Sequence, residues 1–406
     1  MQLASTRVIT TDPFSYVAGG EPWRTQSWLV ELLYAFLEST FGGLGWVPVF
    51  IAVVSVGTLT ITGLTIYSAS RSMVVTGAWL IVAAWLLAPF SQPRPVLISY
   101  LLLAVLVMIL TVGERLWWTV IPLIWLWAAI HGTWVIGIGL LVLAAIQRRS
   151  LRLGVLIAIA LTMTALTAHG LGAWQFLTTF LGSAGALTYL QEWQPPDFGN
   201  FVQMPYLLIV AGVVVAATKG RIGVAMLWVV LPFLAFGLTS RRTVPVAMLV
   251  LIPIAARAVS VRLPKSRASG FPIPTVILLV TVGIVVALHT VSHVALDSER
   301  FPSDAAIEAA GDQPFFHDDG IGGYLIYRSG PDEQVYIDDR AELFGEEGFA
   351  ELADAKLGVY EELFDRLGMR SAIVRPRWPL YSILVRDGWA VEYRDEEWAV
   401  LTAPRS

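Results

Sequence analysis

Apolar residues fill the first 293 positions in long blocks separated by short polar turns, and after residue 294 the pattern changes to short alternations rich in carboxylates. Runs such as Val47–Ile66, Pro95–Val112, Thr133–Ile146 and Pro272–Leu288 carry no charged side chain. Several approach the roughly 20 residues that cross about 30 Å of hydrocarbon. Helices are the only sensible element there, because an open strand edge in lipid leaves backbone groups unpaired. The blocks predict ten spanning segments, near 45–68, 73–90, 96–113, 116–130, 132–147, 153–169, 205–218, 222–239, 244–258 and 272–293. Segments 116–130 and 132–147 are short and meet at His131-Gly132, as a tight hairpin or as one broken helix.

The last 113 residues read as a small α/β domain. Alternation predicts strands at Phe315–His317, Val335–Ile337, Ser371–Arg375, Ala390–Tyr393 and Trp398–Thr402, with helices at Gly348–Leu367 and Leu380–Val385. Ahead of the first block, Leu29, Leu32, Leu33 and Phe36 lie on one face of an amphipathic helix beginning at Trp28, suited to a membrane interface. The expected organisation is an N-terminal outer segment over 1–43, a membrane domain over 44–293 and a soluble acidic domain over 294–406. The expected fold class is an α-helical polytopic membrane protein of about ten transmembrane helices with a C-terminal extracytoplasmic α/β domain.

Composition supports a bilayer as solvent: 56% of residues are hydrophobic and 14% are charged, against about 25% charged in soluble domains. Of 31 Asp and Glu residues, 24 follow residue 294, so the two parts carry formal charges of +9 and −13. The acidic tail disfavours nucleic acid as a partner. The chain has no cysteine, which excludes disulfides and thiolate metal sites. The opening residues are polar and show no cleavable signal, so the first spanning helix is expected to direct insertion.

Placing the loops alternately on two sides collects Arg71, Arg115, Arg148, Arg149, Arg152, Lys219, Arg221, Arg257, Arg262, Lys265 and Arg267 on one face, with Glu114 as its acid. The positive-inside rule makes that face cytoplasmic. The outer face then receives Asp12, Glu31, Arg94, His131, the loop bearing Glu192 and Asp197, Arg241-Arg242 and the acidic tail. A guanidinium fork binds phosphate bidentately, and a carboxylate takes a proton from a hydroxyl or holds a divalent cation. Asp12 and Glu31 are therefore candidate catalytic carboxylates, with Arg94, His131, Glu192, Asp197, Arg241 and Arg242 as candidate substrate-binding residues. A plainer reading stands beside each: the arginines snorkel to headgroups, the histidines satisfy local hydrogen bonds, and His317-Asp318-Asp319 and Asp338-Asp339-Arg340 in the tail are turn chemistry on a solvated surface.

No Walker-type phosphate loop, dinucleotide fingerprint, HExxH or G-x-S-x-G is present, so no nucleotide cofactor is expected and a bound cation is left open. Nor do two matching halves with interrupted helices indicate an inverted-repeat transporter.

The order of Thr11–Tyr16 and Glu21–Glu31, Arg94-Pro95, Trp127 to His131-Gly132, Glu192–Phe198, Arg241-Arg242, Ile321–Tyr327 and Val335–Arg340 resembles bacterial polytopic proteins related to the GT-C class of membrane glycosyltransferases. The resemblance implies use of a polyprenyl-phosphate-linked sugar at the outer face of the cytoplasmic membrane. It also implies a catalytic acid in a first outer loop that follows a further helix; this chain starts just short of that point, so Asp12 stands in for it. Thr167-Ala168-His169-Gly170 departs from the pattern, where relatives carry an Asn-Pro pair. The expected function is transfer of a sugar from a polyprenyl phosphate to an acceptor. The alternatives are a catalytically silent membrane scaffold or lipid-glycan binding protein and, third, a transporter or flippase.

Overall fold

The computed structural model describes residues 10–259 and 300–404, apart from Arg24, Leu44, His169, Gln313, residues 330–333 and most of 173–190. Two units result: one takes Met1–Thr25, Leu177–Leu190 and Ala295–Ser406, the other Gln26–Phe176 and Gln191–Val294.

The larger, helical unit contains α1 (Trp28–Phe41), α2 (Trp46–Ser70), α3 (Met73–Leu87), α4 (Pro95–Val112), α5 (Val120–Ile130), α6 (Trp134–Arg148), α7 (Leu151–Thr164), α8 (Tyr206–Thr218), α9 (Val224–Thr239) and α10 (Val244–Val259). Two of its turns use one device. α2 ends on Arg71 and α6 on Arg149, both left-handed with φ of 55° and 51°. The next serine, Ser72 or Ser150, then accepts the backbone N–H three residues on and opens the following helix. An arginine at the cap also suits the negative end of the helix it closes.

Among the described residues three helices are long and apolar enough to cross a membrane: Trp46–Ser70, Met73–Phe90, which includes a final 3-10 turn, and Pro95–Val112. The chain is a multi-pass membrane protein, but the expected bundle of about ten transmembrane helices is not found. Helices α6 to α10 have 13 to 16 residues, which at about 1.5 Å per residue reach roughly 20–24 Å, short of a 30 Å core. The expected segments coincide closely with these helices, so it is their length as spans, not their position, that is corrected. Gly113 leaves α4 at φ 136° before a 3-10 turn over Glu114–Thr119, and His131 is extended between α5 and α6. The segment expected at 272–293 lies outside the described residues.

α4 is the most covered of the three membrane-length helices, with 61% of its window buried against 33% for α2, and Val246–Ile252 of α10 are buried throughout. Trp117, Trp127, Tyr100 and Tyr206 are among the largest fully buried side chains. Gly137 allows α6 to lie against the Trp127 ring, where a Cβ would come within 2.7 Å of a ring carbon.

The smaller, tail unit contains α11 (Asp304–Ala310), α12 (Asp319–Ser329), α13 (Ala341–Leu357), α14 (Glu361–Leu367), β1 (Ser371–Val374), α15 (Pro379–Arg386), β2 (Ala390–Arg394) and β3 (Ala399–Thr402). Its sheet is antiparallel in the order β1-β3-β2. The expected α/β domain is corrected to this small open sheet with helices. Phe316 and Val335 make only isolated parallel bridges, to Ala372 and Ser15, rather than strands. The helix expected over Gly348–Leu367 is divided by left-handed Gly358, at φ 105°. Phe316, Phe349, Phe364 and Leu380 form one apolar cluster, and Trp398, Val400 and Leu325 belong to a second.

Candidate functional site

Proline at the first position of α4 forces the preceding residue out of the helical region, and Arg94 is accordingly extended at φ −102°, ψ 147°. Its Nη1 donates to Glu192 Oε2 at 3.0 Å. The other carboxylate oxygen of Glu192 accepts from Arg242 Nη1. Glu192 sits on a 3-10 turn, Gln191–Trp193, and Arg242 on another, Arg241–Thr243, that leads into α10. The two turns are clamped by Arg241 N–H donating to Gln194 O at 2.9 Å. The Arg242 guanidinium lies 5.3 Å from the Trp193 ring centre, a cation–π contact.

One carboxylate thus bridges two guanidiniums, with a third arginine adjacent in sequence. The side chains of Arg94 and Glu192 are 40% and 37% exposed, so the ion pair itself contributes about 0–1 kcal/mol. The formal surplus of two positive charges is more informative than the pair. It lies where α4 begins and where the turn before α10 begins, and helix starts present backbone N–H groups and the positive end of the dipole.

Two polar groups there are unsatisfied among the described residues. Arg241 Nε is buried with no acceptor, and so is the hydroxyl of Tyr100, a residue only 1% exposed. Tyr100 lies in the electrostatic range of Arg242, Glu192 and Arg94 together. A buried donor without a partner costs roughly 1–3 kcal/mol, so the two groups mark a place where an acceptor is wanted.

His131 joins the same neighbourhood through the charge of Arg242. Its Nδ1 accepts from Thr133 N–H at 3.2 Å and lies 3.0 Å from Thr133 Oγ1, which in turn accepts from Trp127 Nε1 at 3.1 Å. The backbone donor assigns the ring proton to Nε2. Gly132 N–H donates to Gln26 Oε1 at 2.9 Å, fixing the break between α5 and α6.

The remaining sequence candidates are placed differently. Asp197, on the loop after Glu192, caps its own turn by accepting from Gly199 N–H at 2.9 Å, and it is exposed. Glu31 occupies the first turn of α1, where a carboxylate favours the helix start. Asp12 belongs to the tail unit and is 2% exposed. It accepts from Phe14 N–H and Ser15 N–H at 3.1 Å, from Ser15 Oγ at 2.7 Å and from Arg340 Nη1 at 2.6 Å. Arg340 then turns its Nε and Nη2 onto Asp338 at 2.8 and 2.6 Å and stacks 4.7 Å from the Trp23 ring centre. The structure brings Arg94, His131, Glu192, Arg241 and Arg242 together, and uses Asp12 to anchor a turn.

Sequence reasoning missed Tyr100 and the role of Arg340. A tyrosine inside an uncharged helix reads as core, and Arg340 had as its only signal the Asp338-Asp339-Arg340 string.

The tail unit holds a second polar group of residues. His317 is buried, with Nε2 accepting from Tyr336 N–H at 3.0 Å and Nδ1 donating to Asp318 O at 2.9 Å. Burial lowers its pKa from 6.5 to about 4, so the ring is neutral. Lys356 Nζ lies 3.3 Å from Asp319 and 3.7 Å from Asp318, and burial raises the Asp319 carboxyl. Among the described residues no group of three or more His, Asp or Glu side chains is arranged to hold a metal ion.

Comparison with protein families, with curated proteins and with solved structures finds no match to this chain. The resemblance to GT-C glycosyltransferases is therefore corrected: no related sequence or fold carries it, and among the described residues three membrane-length helices stand where about ten spans are expected. Sugar transfer falls with it. The comparisons give no match that supports the scaffold or lipid-glycan binding alternative or the transporter or flippase.

Proposed function

We propose that the helical unit is a membrane receptor for a phosphate-type oxyanion, held by Arg94, Arg241 and Arg242 with Tyr100 beneath them. The observation that carries this reading is the buried Arg241 Nε–H without an acceptor, beside two guanidiniums that share one carboxylate. Arginine forks match the oxygens of phosphate, and charge-assisted hydrogen bonds are about twice as strong as neutral ones. The same chemistry serves a free phosphate or the headgroup of an anionic lipid.

Orientation follows from charge. Along the three membrane-length helices, Arg71 lies at the turn between α2 and α3 and Arg115 just after α4, both at the end opposite Arg94, and the positive-inside rule makes the end bearing Arg71 cytoplasmic. The anion site then faces the outside of the cytoplasmic membrane.

The test is equilibrium binding of labelled phosphate to the full chain in phosphatidylcholine nanodiscs, repeated with phosphatidic acid in the lipid. Losing two guanidiniums in R241A/R242A should weaken binding by at least about tenfold. Competition by phosphatidic acid assigns the site to a headgroup; indifference to it assigns the site to soluble phosphate. Equal affinity in wild type and the double variant would refute the proposal.

A further inference from the structure

Glu192 already supplies its arginines with part of what an oxyanion would bring. It offers two oxygens, one to Arg94 and one to Arg242, and leaves Arg241 Nε and the Tyr100 hydroxyl unserved. The carboxylate is 37% exposed and sits on a short turn followed by Pro195 and Pro196, whose neighbour Trp193 stacks on Arg242. Nothing in this arrangement buries Glu192 as Asp12 is buried.

Resting on the anion-binding reading above, we infer that Glu192 is a built-in competitor for the site, and that the ligand displacing it is a multiply charged phosphate rather than a carboxylate. A tethered group competes at an effective concentration near the millimolar range. A free monocarboxylate repeats the two hydrogen bonds Glu192 makes and gains nothing further. A phosphate dianion has a third oxygen for Arg241 Nε and a second charge for the third guanidinium, and it reaches a buried hydroxyl donor. With Glu192 swung away, three positive groups face two negative charges instead of one. The protein's own carboxylate then sets a threshold that every ligand must exceed, and the third oxygen and second charge of phosphate are what carry it past that threshold where a weak monoanion fails.

The experiment compares wild type with E192Q as full chains in phosphatidylcholine nanodiscs, at constant ionic strength. Phosphate affinity is measured directly, and acetate affinity by competition against labelled phosphate. The chain has no cysteine, so N200C, on the exposed loop after Asp197, takes a single fluorescent label that reports movement of the Glu192 loop. Displacement predicts that E192Q tightens phosphate and acetate by the same factor, about tenfold or more, and that phosphate shifts the label in wild type but not in E192Q. If E192Q binds phosphate less tightly or unchanged, Glu192 positions the arginines and the inference is wrong. It is also wrong if the gain for the dianion is the square of that for the monoanion, the mark of charge acting through space without displacement. Phosphate binding that depends on Arg241 and Arg242 but ignores Glu192 overturns the competitor alone. Absence of phosphate binding in both proteins overturns the anion-binding reading with it.

Discussion

The two units contain mirror-image ion clusters. In the helical unit one carboxylate, Glu192, lies between two guanidiniums; in the tail unit one guanidinium, Arg340, lies between two carboxylates, Asp12 and Asp338. Their exposure separates them. The Asp12 and Asp338 side chains are 0% and 3% exposed, and the oxygens of Asp12 also accept from the turn it starts. In the Glu192 cluster Arg94, Glu192 and Arg242 are 40%, 37% and 24% exposed, and buried donors next to it lack acceptors. The same chemistry is structural where it is closed and saturated, and available to a ligand where it is open and short of acceptors.

The largest effect should come from breaking the closed cluster. Removing the Arg340 side chain strands two buried carboxylates, and R340A should destabilise the tail unit by about 3–5 kcal/mol. D12A should act in the same direction by a smaller amount, since Arg340 keeps Asp338 as its partner even though three turn donors lose their acceptor. Thermal unfolding of the full chain followed by intrinsic fluorescence reads both. A wild-type melting temperature in R340A would mean that the cluster is not structural.

How much of this contrast could be read before the structure depended on the kind of signal. Arg94 before Pro95, Glu192 beside paired prolines and Arg241-Arg242 stood out because charge is scarce in the apolar region, and the structure gathers them with His131. Asp12 stood out for the same reason, yet its carboxylate serves a turn, because the sequence does not show that Arg340, 328 residues away, is its partner. Tyr100 was invisible, since an unpartnered hydroxyl is a property of surroundings rather than of residue type. The breaks at Gly113 and His131 were legible, since the expected segments end there, but most of the apolar helices between such breaks are shorter than a membrane span. The strands that were recognised, β1, β2 and β3, run over four or five residues, whereas Phe316 and Val335 make only isolated bridges.

A pH titration sharpens the comparison within the tail unit. His317 is neutral when folded, with its pKa lowered by burial from 6.5 to about 4. Its contribution is therefore present above about pH 6.5 and is lost as the pH falls from there through 4, because the unfolded chain takes up the proton first. The full difference is on the order of 3 kcal/mol. The raised carboxyl of Asp319 works in the opposite sense, its contribution fading as the pH rises through its folded pKa. The informative quantity is thus the difference between wild type and H317Q, whose Oε1 keeps an acceptor for Tyr336 N–H. Stability of H317Q should be flatter between pH 4 and 6.5; parallel curves would remove His317 as the titrating group.

The smallest effect belongs to the open cluster. E192Q should change the melting temperature little, since its exposed pairs contribute about 0–1 kcal/mol. Destabilisation as large as that of R340A would show that the open cluster is structural after all and erase the contrast.

The most direct test of the account is phosphate binding by the full chain in nanodiscs, wild type against R241A/R242A, with unfolding measured on the same samples. The account predicts wild-type melting and phosphate affinity weaker by about tenfold or more in the double variant. Unchanged phosphate affinity in a folded R241A/R242A protein would contradict it.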